Sequence, residues 1–182
     1  SYPNKKVMNR LIGRHKEQAK LQTCMNSERS EFVVVYGRRR IGKTFLVRRF
    51  FEDRYAFSFV GKHEVAKDLQ LQEFAKALQR YSGSAFVPVL KNWTEAFDGL
   101  QKLLASVETP GKKVVFFDEM PWMDTPKSDF VMALENFWNG WANMRDDILF
   151  VACGSATSWM VDKLLHNQGG LFNRITQKIY LR

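Results

Sequence analysis

The chain has 182 residues, 45% of them hydrophobic and 26% charged, with a formal net charge of +9. Those fractions exclude a disordered chain, and the length supports one domain with a real core. No apolar run reaches the roughly 18 residues needed to span a bilayer, and the excess of Lys and Arg favours anionic partners, nucleotide or nucleic acid.

In chain order, "SYPNKKVMNR" has no apolar stretch behind its lysines and is not a signal peptide. "GRHKEQAKLQTCM" predicts an extra helix entering the domain. Short β-rich runs follow at 31–37 ("EFVVVYG"), 55–61 ("YAFSFVG"), 112–119 ("KKVVFFDE"), 147–155 ("DILFVACGS") and, more weakly, 175–181 ("ITQKIYL"). Their continuous apolarity predicts strands buried on both faces of a parallel sheet. Between them lie helix-length segments. "EVAKDLQLQEFAKALQRY" sets Leu71, Phe74, Ala75 and Leu78 at three- and four-residue spacing, and "WTEAFDGLQKLLASV" and "SDFVMALENFWNGWANM" repeat the pattern. In the last of these, Phe130, Leu134, Phe137, Trp138 and Trp141 share a face expected to pack on the sheet. The alternation predicts an α/β fold, a three-layer sandwich around a mostly parallel sheet of about five strands.

Two cysteines, Cys24 and Cys153, are too few for a disulfide framework and suit a reducing, cytoplasmic setting. Cys153, inside "ILFVACG", is expected to be a buried hydrophobe. His15, His63 and His166 are scattered without ligand spacing, so no zinc site is expected.

The chemistry concentrates in "GRRRIGKT", Gly37 to Thr44, which matches G-x-x-x-x-G-K-T after a strand and before a helix. Glycines allow the tight turn that aims successive N–H groups at phosphate, and the helix N-terminus favours the anion. The candidate nucleotide-binding residues are therefore Gly37, Arg38, Arg39, Arg40, Ile41, Gly42, Lys43, Thr44 and Phe45. Lys43 is placed to reach the β and γ phosphates and Thr44 to ligate Mg²⁺. Arg38, Arg39 and Arg40 occupy the variable positions, where a solvated rim is favoured over an acidic or nucleic-acid partner surface.

"VVFFDE" ends a second candidate strand on Asp118 and Glu119. In a parallel sheet that strand end shares an edge with the phosphate loop. Asp118 is then the second Mg²⁺ group and Glu119 the general base. No N/T-K-x-D loop is present to read guanine, and "TPKSD" at 125–129 has the wrong order. Trp122, just after this pair, is expected to anchor the strand-to-helix turn, with a place near the nucleotide or in a subunit contact as the alternatives.

On "LIGRHKEQAKL", "VVVYGRRRIGKTFLVRRFF", "FSFVG" followed by "LQEFAKAL", "VVFFDEMPWM", "LFVACGSATSWM" and "GGLFNRITQKIYLR", the chain resembles the prokaryotic archaeal-type ATPases, an AAA+/STAND-like group. These segments span nearly the whole chain in the family's order. The resemblance implies ATP and Mg²⁺ as ligands, with residues 1–30 flanking the base and 31–182 forming the core. It implies that Ile12, Gly13 and Arg14 lie beside the base and that Ser155 senses the γ-phosphate. It also implies that Arg174 touches the γ-phosphate or a neighbouring subunit, with a structural arginine packing a loop as the alternative. The catalytic set is then Lys43, Glu119, Ser155 and Arg174. Family members carry a helical lid and C-terminal winged-helix and nuclease-like regions, whereas this sequence stops at "KIYLR". The expectation is an ATPase module of a larger regulatory or nucleic-acid-processing protein, able to oligomerise, slow on its own, and partnered through C-terminal regions not included here. A non-enzymatic nucleotide switch and a DNA-binding module with an accessory P-loop are the alternatives.

Overall fold

The computed structural model describes residues 14–166 and 171–182. The order is α1 (His15–Asn26), β1 (Glu31–Tyr36), α2 (Lys43–Phe50), β2 (Phe57–Val60), α3 (Lys67–Ser82), α4 (Trp93–Ser106), β3 (Lys113–Asp118), α5 (Phe130–Gly140) and β4 (Ile148–Gly154). A short helix α6 (Thr157–Trp159) then widens into a π-helical turn over Met160–Leu165, and β5 (Gln177–Tyr180) follows. The strands form one sheet in the order β2-β3-β4-β1-β5, and every pairing is parallel.

Each strand of the apolar series falls where its run predicts. The reason is visible in β1. Phe32 and Val34 face one core, while Val33 and Val35 face the other, and all four are fully buried. A strand sandwiched in this way needs apolar residues at every position. The smaller core takes Leu21 and Cys24 of α1 with Leu46 and Val47 of α2. The larger takes Leu71, Phe74 and Leu78 of α3, Phe97 and Leu100 of α4, and Phe130, Leu134, Phe137 and Trp138 of α5. Trp141 packs at its margin, so the aromatic face of α5 is core. Helices therefore cover both faces, giving three layers.

Local signals set the helix ends. Asn92 Oδ1 accepts the Glu95 N–H at 2.8 Å, and Glu95 Oε2 accepts the Lys91 N–H at 2.8 Å, a reciprocal cap on α4. At the far end of α3, Gly83 takes the left-handed conformation and returns its N–H to the Gln79 carbonyl. Among the described residues, no helix is long and apolar enough to cross a membrane.

Candidate nucleotide site

Parallel pairing brings the carboxyl ends of β1, β3 and β4 to one edge, with Tyr36 opposite Gly154 and Phe117 opposite Ala152. The loop after β1, the acidic pair ending β3 and Ser155 after β4 therefore converge. The loop, Glu119 and Ser155 border a cleft of about 600 Å³, with Asp118 buried behind it.

The loop runs from Gly37 (φ 144°) to Gly42 (φ 99°), which caps α2 in the left-handed region. Gly42 is needed for that conformation, while a Cβ at Gly37 would also stand 2.5 Å from the Leu181 carbonyl oxygen. Lys43 is buried, and its ammonium donates to the carbonyls of Gly37 at 2.9 Å and Arg38 at 2.6 Å. Burial draws that ammonium below its ordinary pKa.

Thr44 Oγ1 donates to Asp118 Oδ2 at 2.9 Å, joining loop and acidic strand directly. Asp118 is buried, and its other oxygen accepts the Glu119 N–H at 2.8 Å. Desolvation pushes the Asp118 carboxyl up, against the opposing pull of those two bonds. Glu119 is raised as well, first by burial and then by the charge of Asp118, while a hydrogen bond from Ser155 draws it the other way. Cys153 is buried as expected and hydrogen-bonds Asp118, and complete burial holds its thiol well above the ordinary value. Two hard oxygen groups this close suit a small divalent cation whose remaining ligands are phosphate and water. Among the described residues there is no cluster of three or more His, Cys, Asp or Glu able to hold a metal by itself.

The cleft is lined by Gly42, Lys43, Thr44 and Phe45 on one side and by Glu119 and Ser155 on the other. Arg39 and Arg40, both exposed, also line it, and the charge of Arg39 reaches Glu119. Arg38 is exposed outside the lining, and Ile41 packs into the smaller core. Arg14 braces the loop from α1, its Nη2 donating to the Ile41 carbonyl at 3.4 Å. Ile12 and Gly13 lie outside the described residues.

Arg174 departs from one of its two expected roles. It is exposed, in a 3-10 turn (Phe172–Arg174) that precedes β5. Strand β5 runs parallel to β1 and ends beside Tyr36, so Arg174 sits at the opposite edge from the phosphate loop. It is outside the cleft and cannot touch a γ-phosphate bound there by its own chain.

His63 enters the site without a signal in the spacing, and Trp122 lines it as well, in line with its alternative reading. His63, after β2, and Trp122 line the cleft with ring centroids 4.2 Å apart, edge to face. Trp122 is thus both anchor and wall. The β2 end is pressed against the acidic turn at Gly61, where a Cβ would stand 2.3 Å from the Glu119 carbonyl oxygen. A glycine just past a strand was the only local hint of that approach.

Residues 11–182 match the family described as an ATPase domain predominantly from Archaea. An uncharacterised ATP-binding protein of Methanocaldococcus jannaschii is 35% identical over 44 residues, covering 24% of this chain and 75% of that protein. The Walker-type ATPase of Pyrococcus abyssi superposes with a TM-score of 0.64 at 18% identity, over 92% of this chain and 53% of that one. The Aeropyrum pernix ORC2 protein, solved in complexes with ADPNP and ADP, gives a TM-score of 0.60 at 19% identity, over 92% of this chain and 47% of that one. The chain thus spans about half the length of these two solved structures, whose likeness bears on the fold. With a match over nearly its whole length, the chain belongs to the family of ATPase domains found predominantly in Archaea.

Proposed function

We propose that the chain binds ATP with Mg²⁺ in this cleft and hydrolyses it, as the ATPase module of a larger regulatory or nucleic-acid-processing protein. The observation that carries the reading is the 2.9 Å bond between Thr44 and Asp118, which joins the phosphate loop to the acidic strand end with Glu119 alongside. The loop N–H groups and the N-terminus of α2 take the phosphates, and Lys43 neutralises their terminal charge. Thr44 and Asp118 would hold Mg²⁺, which when bound would supply neutralisation of the phosphate charge. Glu119 accepts the proton of the attacking water as its oxygen bonds to the γ-phosphorus and the bond to ADP breaks. Its raised pKa makes it the stronger base. Ser155 orients that carboxylate through their hydrogen bond. Arg174, at the far edge, is left with contacting a neighbouring subunit or with a structural role in its own loop.

Glu119→Gln tests the reading. The variant should keep ATP affinity and lose turnover, and unchanged turnover would overturn the assignment of Glu119. A non-enzymatic switch instead predicts wild-type turnover no higher than that of Glu119→Gln. The net charge of +9 suits nucleotide and nucleic acid alike, and salt-insensitive or absent DNA binding would remove nucleic acid as a partner.

A further inference from the structure

The apolar face of α3 contains one misfit. Gln70 precedes Phe74 by four residues on the buried face, and its side chain is 0% exposed. A carboxamide in such a place is informative, because an apolar residue of similar size would pack there without a desolvation penalty. Its bonds account for it. Gln70 Oε1 accepts the Lys62 N–H at 2.9 Å, and Nε2 donates to the Lys62 carbonyl and, at 3.0 Å, to the Trp122 carbonyl. The first two bonds pair with Lys62 as a neighbouring strand would. The third crosses to the 3-10 turn (Met120–Met123) that follows Glu119.

What the clamp holds is strained. Glu119 lies in the left-handed region at φ 51°, ψ 41°, a conformation that a non-glycine residue keeps only where its surroundings over-determine it. The turn itself contributes the Trp122 N–H donating to the Glu119 carbonyl at 3.1 Å. The β2 end contributes the Gly61 N–H donating to the Asp118 carbonyl at 2.9 Å and the close seat of Gly61 under Glu119. Gln70 ties these two pieces together from the buried face of α3, while His63 and Trp122 line the cleft.

We infer that Gln70 is a positioning residue for hydrolysis: by fastening Lys62 to Trp122 it fixes the backbone of Glu119 and hence where that carboxylate stands relative to Lys43 and Ser155. The inference rests on the hydrolysis reading above. Gln70 does not line the cleft, and it acts only through Glu119.

The test uses Gln70→Met, near in volume but without hydrogen bonds, in the 182-residue chain. Mg-ATP turnover, ATP affinity and amide exchange are measured together, with thermal melting as the check on folding. Turnover should fall roughly 10- to 100-fold, the scale of a misplacement near 1 Å, while ATP affinity stays within about twofold. In the Glu119→Gln background Gln70→Met should add no further loss, because both act through one group. Amides of the turn from Glu119 to Trp122 should exchange roughly tenfold faster. Undiminished turnover in a folded variant, or losses that multiply with those of Glu119→Gln, overturn the inference. If Gln70→Met does not fold, Gln70→Glu carries the same comparisons, since it retains the acceptor for Lys62 and loses both donors. Wild-type turnover no higher than that of Glu119→Gln refutes the hydrolysis reading and the catalytic role with it. Amide exchange then decides the clamp alone, and unchanged exchange removes that too.

Discussion

Gly61→Ala probes how tightly the end of β2 seats the catalytic turn. Gly61 lacks a positive φ, so alanine suits its backbone and only space is at issue. The new Cβ would stand 2.3 Å from the Glu119 carbonyl oxygen and 3.3 Å from Met123 Cγ. Carbon and oxygen settle at about 3.3 Å or beyond, so strand end and turn must part by about 1 Å. The atom met is backbone, not the tip of a flexible side chain, so relief requires moving Glu119 itself. Overpacking of this kind costs about 1–3 kcal/mol of stability. A shift near 1 Å at the general base lowers turnover by about 100-fold, or roughly 2.7 kcal/mol in the barrier. Urea unfolding and Mg-ATP turnover read the two effects, with ATP affinity as the control because the phosphate loop is untouched. Gly83→Ala is the comparison: its Cβ meets nothing within 4 Å, but its φ is 71°, so it should lose about 1 kcal/mol and no activity. A Gly61→Ala protein within about 0.5 kcal/mol of wild type and at full turnover would refute the reasoning.

Thr44→Val keeps the shape and removes the hydroxyl that binds Asp118 at 2.9 Å. It should weaken Mg-dependent ATP binding by about 10-fold or more, visible by titration with and without Mg²⁺. Asp147→Asn should destabilise the fold by about 1–2 kcal/mol at neutral pH, since Asp147 takes two bonds from Arg145, at 2.9 and 2.8 Å, and pairs with Lys113 at 3.1 Å. Arg145 holds that carboxyl below its ordinary 3.8. The unfolded chain therefore takes up the proton first, so the contribution is complete above about pH 4 and is lost as pH falls through the folded value. Urea unfolding at neutral pH and at about pH 3 should show the gap between wild type and variant closing. Arg174→Ala should leave ATP affinity unchanged, while any rise of specific turnover with protein concentration should disappear. A loss of ATP affinity at high dilution would contradict its place at the far edge of the sheet.

The fold was largely legible because its signals are local. The central strands β1, β3 and β4 are runs that must be apolar on both faces, and even "ITQKIYL", the weakest run, supplied the partly exposed edge strand β5. The phosphate loop and the Asp118–Glu119 pair were legible for a similar reason: backbone conformation and phosphate chemistry restrict residue choice at fixed spacing. What the sequence by itself determined was therefore the class of fold, the loop, the acidic pair and the family.

Only tertiary structure decided which distant residues share the cleft. The strand order β2-β3-β4-β1-β5 inserts β4 between the strands bearing the loop and the acids, which no spacing in the chain reveals. It placed Arg39 and Arg40 along the cleft, put Arg174 at the wrong edge for its own nucleotide, and set His63 against Trp122. Gln70 lay hidden in a regular amphipathic helix, because its partners are backbone groups of Lys62 and Trp122. Backbone hydrogen bonds leave no mark on the identity of the residue that makes them, so only the assembled sheet and its loops show what that side chain holds.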